Sequence, residues 1–278
     1  MNEMTIAAPL DAQAYRSDYK PVWCPGCGDY SVIASLAKAF AQLGLARENT
    51  VLVSGIGCSS RLPAYASTYG FHGVHGRALA LATGVKVARP ELTVVVASGD
   101  GDAFSIGGNH FLHACRRNID LTCIVMDNQV YGMTKGQASP TTPPEWCESA
   151  LTPHGTGVNS FHPLVIALAA GASFVARGFS GDPKFTTRLM VEAIKHRGFS
   201  LLQILSPCVT YRPEQKEWKT LVRHARESAA SAAQAAKWLL TDDGFNTGIL
   251  FQQDRPVFDP RQPGSGSLAQ FEDEFVAR

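Results

Sequence analysis

Seven cysteines are spread over 278 residues, and four fall on segments that read as loops: Cys24 and Cys27 in WCPGCGDY, Cys58 in GIGCSSR and Cys208 in SPCVTY. Thiolates are soft ligands and nucleophiles, so this set fits a redox dithiol, a zinc site or an iron-sulfur cluster. A thioredoxin-like dithiol needs a buried strand directly before it, and DAQAYRSDYKPV is a poor strand. Structural zinc sites usually draw their ligands in close pairs, whereas Cys58 and Cys208 are solitary. One close pair and two distant singles can equally serve a cubane held by four thiolates. From spacing alone, dithiol, zinc, cluster and ordinary buried cysteines all stay open. Cys115 and Cys123 lie in a helical and a strand pattern and read as buried structural thiols, and Cys147 has no nearby partner.

Hard-ligand chemistry is concentrated elsewhere, in GDGDAFSIGGNHF. An Asp-Gly repeat after a strand makes a tight turn and a helix cap, which would account for Asp100 and Asp102 without any ligand. Asn128 changes the balance, because it ends the next strand after one helical crossover and so faces Asp100 across neighbouring loops. A carboxylate, an amide oxygen and a carbonyl suit Mg²⁺ together with a ligand's phosphates. Gly99 and Gly101 let the backbone approach closely, and a following helix N-terminus favours an anion. The spacing is wrong for GxGxxG, and no GKS or GKT is present.

Elements able to position these residues alternate along the chain. Apolar runs at 50–54, 92–98, 121–127, 173–179 and 200–206 read as strands buried on both faces. Helical periodicity falls near 31–43, 77–89, 104–117, 162–170 and 184–197. The pattern predicts an α/β fold with a doubly wound, mostly parallel sheet. Right-handed crossovers then gather GIGCSSR, GDGD, NQVYGMTKG and PCVTYR at one sheet edge. Residues 1–20 read as an N-terminal tail and 21–215 as the domain. Residues 216–278 read as a helix and an extended arm lying on this domain or a partner chain, with too little apolar content to fold alone.

Composition narrows the function classes. The 45% hydrophobic content can bury a large core, and 25 basic against 24 acidic residues leave a net charge of +1 with no basic run for nucleic acid. No stretch approaches the roughly 20 apolar residues of a membrane span, and the first twenty residues lack a secretion-signal pattern. A cytoplasmic location is expected, where thiols stay reduced.

The succession of GDG, a helix, a strand and DNQVYGMT resembles the diphosphate-binding motif of thiamine diphosphate enzymes. That likeness implies Asp100, Asn128 and the carbonyl of Val130 as magnesium ligands, with Gly101, Asp102, Gly132 and Met133 lining the diphosphate. Together with WCPGCGDY, GIGCSSR, HGRA at 75–78, TKGQASPTT, SPCVTY and TGILF, in order over roughly residues 19–255, the chain resembles the β subunit of 2-oxoacid:ferredoxin oxidoreductases. The resemblance implies a thiamine diphosphate-binding fold and one 4Fe-4S cluster on Cys24, Cys27, Cys58 and Cys208. It implies that Ile56, Gly57, Cys58, Ser59, His75, Gly76, Arg77 and Ala78 contact the cofactor, and that Arg61 helps recognise the substrate. Without it, His75 reads as a loop histidine and Arg77 as a solvated residue. Implied partners are an α subunit in an αβ or α2β2 assembly, which supplies the carboxylate that activates the cofactor, together with ferredoxin, a 2-oxo acid and coenzyme A. The TKGQASPTTP and CVTY segments are most like members that convert 2-oxoglutarate to succinyl-CoA, with pyruvate or broad-range use as the alternative. A non-catalytic iron-sulfur relay or redox sensor is the rival from another class, and it leaves GDGD and Asn128 unexplained.

Overall fold

A computed structural model describes residues 10–225 and 227–259. The chain runs α1 (Asp29–Leu43), β1 (Thr50–Ser54), β2 (Tyr69–His72), α2 (Ala78–Ala88), β3 (Thr93–Gly99), α3 (Gly108–Arg117) and β4 (Leu121–Asp127). It continues through α4 (Pro163–Ala169), β5 (Phe174–Phe179), α5 (Pro183–Lys195), β6 (Phe199–Leu205), α6 (Trp218–Leu221), β7 (Arg223–His224), α7 (Ala232–Thr241) and β8 (Asn246–Gln252). One eight-stranded sheet has the order β2-β1-β3-β4-β6-β5-β8-β7, with only the β5–β8 pair antiparallel.

The unbroken apolar runs follow from helices on both sides of this sheet. In β4, Leu121, Cys123 and Val125 face a core built with α2, α3, α4 and α7, through Leu79, Phe111, Leu164 and Leu239. The alternate residues Ile124 and Met126 face a second core built with α1 and α5, through Leu36, Phe40, Leu189 and Met190. Period-two alternation therefore puts apolar residues on both faces, and the few polar ones, such as Thr122, are buried with hydrogen-bond partners. Local signals set the helix ends: Gly44 closes α1 at φ +59°, and the Asp182 carboxylate accepts the Phe185 N–H at the start of α5, where Pro183 follows.

Four departures from the sequence reading have physical causes. Strand β2 is short and solvent-exposed, so it carries no buried pattern to read. The helix expected over 104–117 begins as a π-helical turn at Asp102–Ile106 and becomes α-helical only at Gly108. The expected C-terminal helix is present as α7, but the segment after it is not an extended arm over 246–252. Strand β8 pairs with β5, and Ala235, Leu239, Leu250 and Phe251 complete the core beneath α4. That segment has few apolar residues of its own and buries them against a face already formed by the preceding strands. In the same way, residues 12–15 of the expected tail form a short helix, whose Tyr15 is buried against Phe40 and donates its hydroxyl to the Leu45 carbonyl. Residues 1–9 and 260–278 of the expected tail and arm lie outside the described residues.

Candidate functional site

Strands β1, β3, β4 and β6 are parallel neighbours, so the segments leaving their C-terminal ends meet at one sheet edge. A cavity of about 460 Å³ opens there. It is lined by Ile56 to Ser59 from the β1 loop, Gly99 to Asp102 after β3, Asn128 and Val130 to Thr134 after β4, together with His75, Met126 and Gln137. Thus Asp100, Asn128 and Val130, which belong to different loops, border one space, as do Ile56, Gly57, Cys58, Ser59, His75, Gly101, Asp102, Gly132 and Met133. Gly76, Arg77 and Ala78 are not among the lining residues. Gly76 is buried behind the wall, and Ala78 packs in the core at the start of α2. Arg61 is exposed, on the short helix Ser59–Tyr65, and it too is outside the lining.

Asp102 lines the cavity, yet its carboxylate is turned into the protein. Oδ1 accepts the backbone N–H of Ile56 (3.0 Å), the N–H of Gly76 (2.7 Å) and Nδ1 of His75 (2.8 Å), while Oδ2 accepts the Ser98 hydroxyl (2.5 Å). One buried side chain thereby ties the β1 loop and the 75–76 turn to the end of β3. With Nδ1 donating to Asp102, a neutral His75 is left with Nε2 as an acceptor. Gly55 must be glycine here, since a Cβ would stand 2.0 Å from Asp102 Oδ2.

Asp100 is equally buried, and its Oδ2 accepts the hydroxyls of Ser139 and Thr141. Burial, reinforced by the neighbouring Asp127 carboxyl, pushes Asp100 up to about 7. Asp100 borders the same cavity as Asn128 and Val130, and a carboxylate, an amide oxygen and a backbone carbonyl are hard oxygens of the kind a divalent cation takes. Asn128 Oδ1 accepts the Val130 N–H at 3.1 Å, which folds the loop back on itself, and Gln129 takes the left-handed conformation at φ +56°. Tyr131 was not singled out by the sequence. Its hydroxyl donates to the Gly101 carbonyl at 3.1 Å, and a Cβ on Gly101 would meet its ring at 2.1 Å. Glycine is required there by the close approach of that ring.

Two of the four loop cysteines, Cys58 and Cys208, flank Gly132 beside this cavity. A Cβ on Gly132 would stand 3.7 Å from Cys58 Sγ and 4.0 Å from Cys208 Sγ. Cys27 feels both of those thiols electrostatically, and Cys58 feels Cys208 and Cys24. The WCPGC loop is seated on the Cys208 loop through the Gly28 N–H, which donates to the Pro207 carbonyl at 3.2 Å. Gly26 makes the bend at φ +86°. Trp23 is buried between Tyr30 and Tyr65 and donates its indole N–H to the Cys58 carbonyl at 2.7 Å. Burial pushes the Cys58 thiol up to about 11, aided by Asp29, Cys208 and Cys24 and opposed by Arg61. The Cys27 thiol is raised further, mainly by burial. Such thiols stay protonated unless a metal takes the sulfur. Among the described residues, no three His, Cys, Asp or Glu side chains are grouped to hold a single metal ion. Cys115 and Cys123 are buried in the core, and Cys147 is exposed.

Gln215 also went unnoticed in the sequence. It is buried, donates Nε2 to the Asn128 carbonyl at 2.7 Å and accepts the Cys208 N–H at 2.9 Å, so it clasps the oxygen-ligand loop to a cysteine loop. Nothing in the polar run RPEQKEW marks it, because its importance depends on which loops meet it.

A doubly wound sheet with a glycine-aspartate loop and an asparagine facing one edge cavity defines a thiamine diphosphate-binding domain. Residues 55–204 match the family described as thiamine pyrophosphate enzyme, C-terminal TPP binding domain. The 2-oxoglutarate synthase subunit KorB of Archaeoglobus fulgidus is 46% identical over 78% of this chain and 80% of its own. The 2-oxoacid:ferredoxin oxidoreductase 2 subunit beta of Aeropyrum pernix is 39% identical over 89% and 85%. The 2-oxoglutarate oxidoreductase subunit KorB of Mycobacterium tuberculosis is 48% identical over 73% of this chain, a match spanning 54% of that relative's length. A solved 2-oxoglutarate:ferredoxin oxidoreductase from Magnetococcus marinus, with 2-oxoglutarate, coenzyme A and succinyl-CoA bound, superposes with a TM-score of 0.87 at 38% identity, covering 97% of this chain and 92% of that one. The chain belongs to the β subunits of the 2-oxoacid:ferredoxin oxidoreductases.

Proposed function

We propose that this chain is the β subunit of a 2-oxoglutarate:ferredoxin oxidoreductase. With an α subunit it converts 2-oxoglutarate, coenzyme A and two oxidised ferredoxins to succinyl-CoA, CO₂, a proton and two reduced ferredoxins, reversibly. The observation that carries this reading is the β1 loop: Ile56, Gly57 and Ser59 line the cofactor cavity, while Cys58 in the same turn stands beside Cys208 across Gly132. A single short loop thus reaches both a cofactor cavity and a cysteine group, which oxidation needs and simple decarboxylation does not.

Thiamine diphosphate, when bound, supplies the nucleophilic carbon and the electron sink that make a 2-oxo acid lose CO₂, and a 4Fe-4S cluster carries electrons one at a time. Asp100, Asn128 Oδ1 and the Val130 carbonyl would hold the magnesium ion, and the backbone of Gly101, Asp102, Gly132 and Met133 would face the diphosphate. Cys24, Cys27, Cys58 and Cys208 would hold the cluster. A close pair and two distant singles suit a cubane with one thiolate per iron better than a zinc site built from close pairs. Asp102 keeps His75 and the Ile56 N–H in place on the cavity wall, and Tyr131 fixes the Gly101 carbonyl by a hydrogen bond. Arg61, which is outside the cavity lining, is assigned to recognition of the substrate in a site that the α subunit completes.

Among the described residues no helix is long and apolar enough to cross a membrane. We assign the complex to the cytoplasm. The assembled complex, purified without oxygen, should contain iron, sulfide and thiamine diphosphate and should reduce viologen faster with 2-oxoglutarate than with pyruvate or branched 2-oxo acids. A preference for pyruvate rejects the substrate assignment, and thiamine diphosphate without iron rejects the oxidoreductase.

A further inference from the structure

Behind Asp100 a line of buried polar side chains crosses the sheet. The Thr141 hydroxyl lies 2.7 Å from Asp100 Oδ2 and 2.8 Å from Asp127 Oδ1. Asp127 Oδ1 also accepts the Gln129 N–H at 3.1 Å, and its Oδ2 accepts Nε2 of Gln203 at 2.6 Å. Gln203 Oε1 in turn accepts Nε of Arg177 at 3.0 Å, and Arg177 Nη1 donates to Asp242 Oδ2 at 2.9 Å. Asp127, Arg177 and Gln203 are all at most 7% exposed. Asp242 ends α7, beyond the 55–204 range shared across thiamine pyrophosphate enzymes, and it is anchored there by the Gly244 N–H.

The direction of this line matters more than its length. Asp127 holds Asp100 through Thr141, and with the same oxygen it fixes the backbone next to Asn128. Two loops that bear hard oxygen atoms are therefore registered against one carboxylate. That carboxylate is itself held by Gln203, whose orientation is set by Arg177, since the amide oxygen must accept from the guanidinium and the amide nitrogen must donate to Asp127. A buried ion pair of this kind is weak evidence for stability, and registration of neighbouring groups is a better-attested use. Hydrogen-bonded partners of metal-ligating carboxylates commonly change metal affinity by about 10–100-fold when removed.

We propose that Thr141, Asp127, Gln203, Arg177 and Asp242 form a positioning chain that sets Asp100 and the Asn128 loop for a magnesium-diphosphate group. The C-terminal unit thereby tunes the cofactor site without touching it. This inference rests on the magnesium reading above. The test is Mn²⁺ titration, followed by the free-ion EPR signal, of the assembled complex stripped of divalent metal and supplied with thiamine diphosphate. Thr141→Val keeps the shape and removes the hydroxyl, and its Mn²⁺ dissociation constant should rise about 10–100-fold. Thr141→Ser should restore binding to within a few-fold of wild type, which loss of packing alone does not predict. Asp242→Asn, at the far end, should weaken binding several-fold. Wild-type affinity in Thr141→Val or in Asp242→Asn overturns the chain. Asp100→Asn separates the two readings: if it also binds Mn²⁺ as wild type does, the magnesium site itself is refuted and the inference falls with it.

Discussion

Replacing Asp102 distinguishes a brace from a ligand. In Asp102→Asn the remaining carbonyl oxygen can still accept from the Ile56 and Gly76 N–H groups, so both stay satisfied. What is lost is the charge on the acceptor. Hydrogen bonds to charged groups contribute about 1.5–3 kcal/mol against about 0.5–1.5 for neutral ones, so with one oxygen shared by its donors the cost is about 1–3 kcal/mol. In Asp102→Ala those two N–H groups, with Asp102 itself 2% exposed, lose their acceptor. The Gly76 N–H is then a buried orphan costing about 1–3 kcal/mol, and the part-buried Ile56 N–H adds less, giving about 1–4 kcal/mol together. For a chain of this length that is a fall of roughly 3–15 °C in the melting temperature of the complex, read by scanning calorimetry. Thiamine diphosphate affinity, measured by titration calorimetry with Mg²⁺ present, should fall less than tenfold in Asp102→Asn and collapse in Asp100→Asn. Equal collapse in both variants refutes the bracing role and makes the Asp102 carboxylate a direct contact. An Asp102→Ala complex that melts with the wild type refutes the energetic argument.

Three further outcomes follow from the geometry. Cys208→Ser should abolish the broad iron-thiolate absorbance near roughly 400 nm while leaving thiamine diphosphate bound, whereas Cys58→Ser should lose the absorbance and also weaken the cofactor; retained absorbance in either removes that cysteine from the cluster. Trp23→Phe keeps the ring between Tyr30 and Tyr65 but not the bond to the Cys58 carbonyl, so bleaching in air should quicken, and Trp23→Ala should quicken it further; unchanged bleaching in both dismisses Trp23. Phe251→Ala, at a fully buried position of β8, should destabilise the protein by about 3–5 kcal/mol in chemical denaturation, and a loss under 1 kcal/mol would mean that β8 is not part of the core.

The parallel strands were legible in the sequence because burial on both faces writes an uninterrupted apolar run, and the helices between them because one buried face writes a 3.6-residue period. Strand β2, with Tyr69 and Phe71 in solvent, writes neither. Strand β8 was hidden for a different reason. Its partner β5 lies more than sixty residues earlier, and what buries Leu250 and Phe251 is a surface that the local sequence does not contain.

The same division holds at the site. Residue types and order were enough to single out Asp100, Asn128 and the four loop cysteines as candidates, since hard oxygens and soft thiolates advertise their chemistry wherever they stand. Only the tertiary structure decided that Asp102 turns its carboxylate inward, that Arg61 and Arg77 stay outside the cavity lining, and that Tyr131, Gln215 and Thr141 hold the loops. Sequence fixes what a side chain is able to donate or accept, but which partner it meets depends on how parallel strands bring distant loops to one edge. Hydrogen bonds act over about 3 Å, and no spacing along the chain encodes that distance between segments a hundred residues apart.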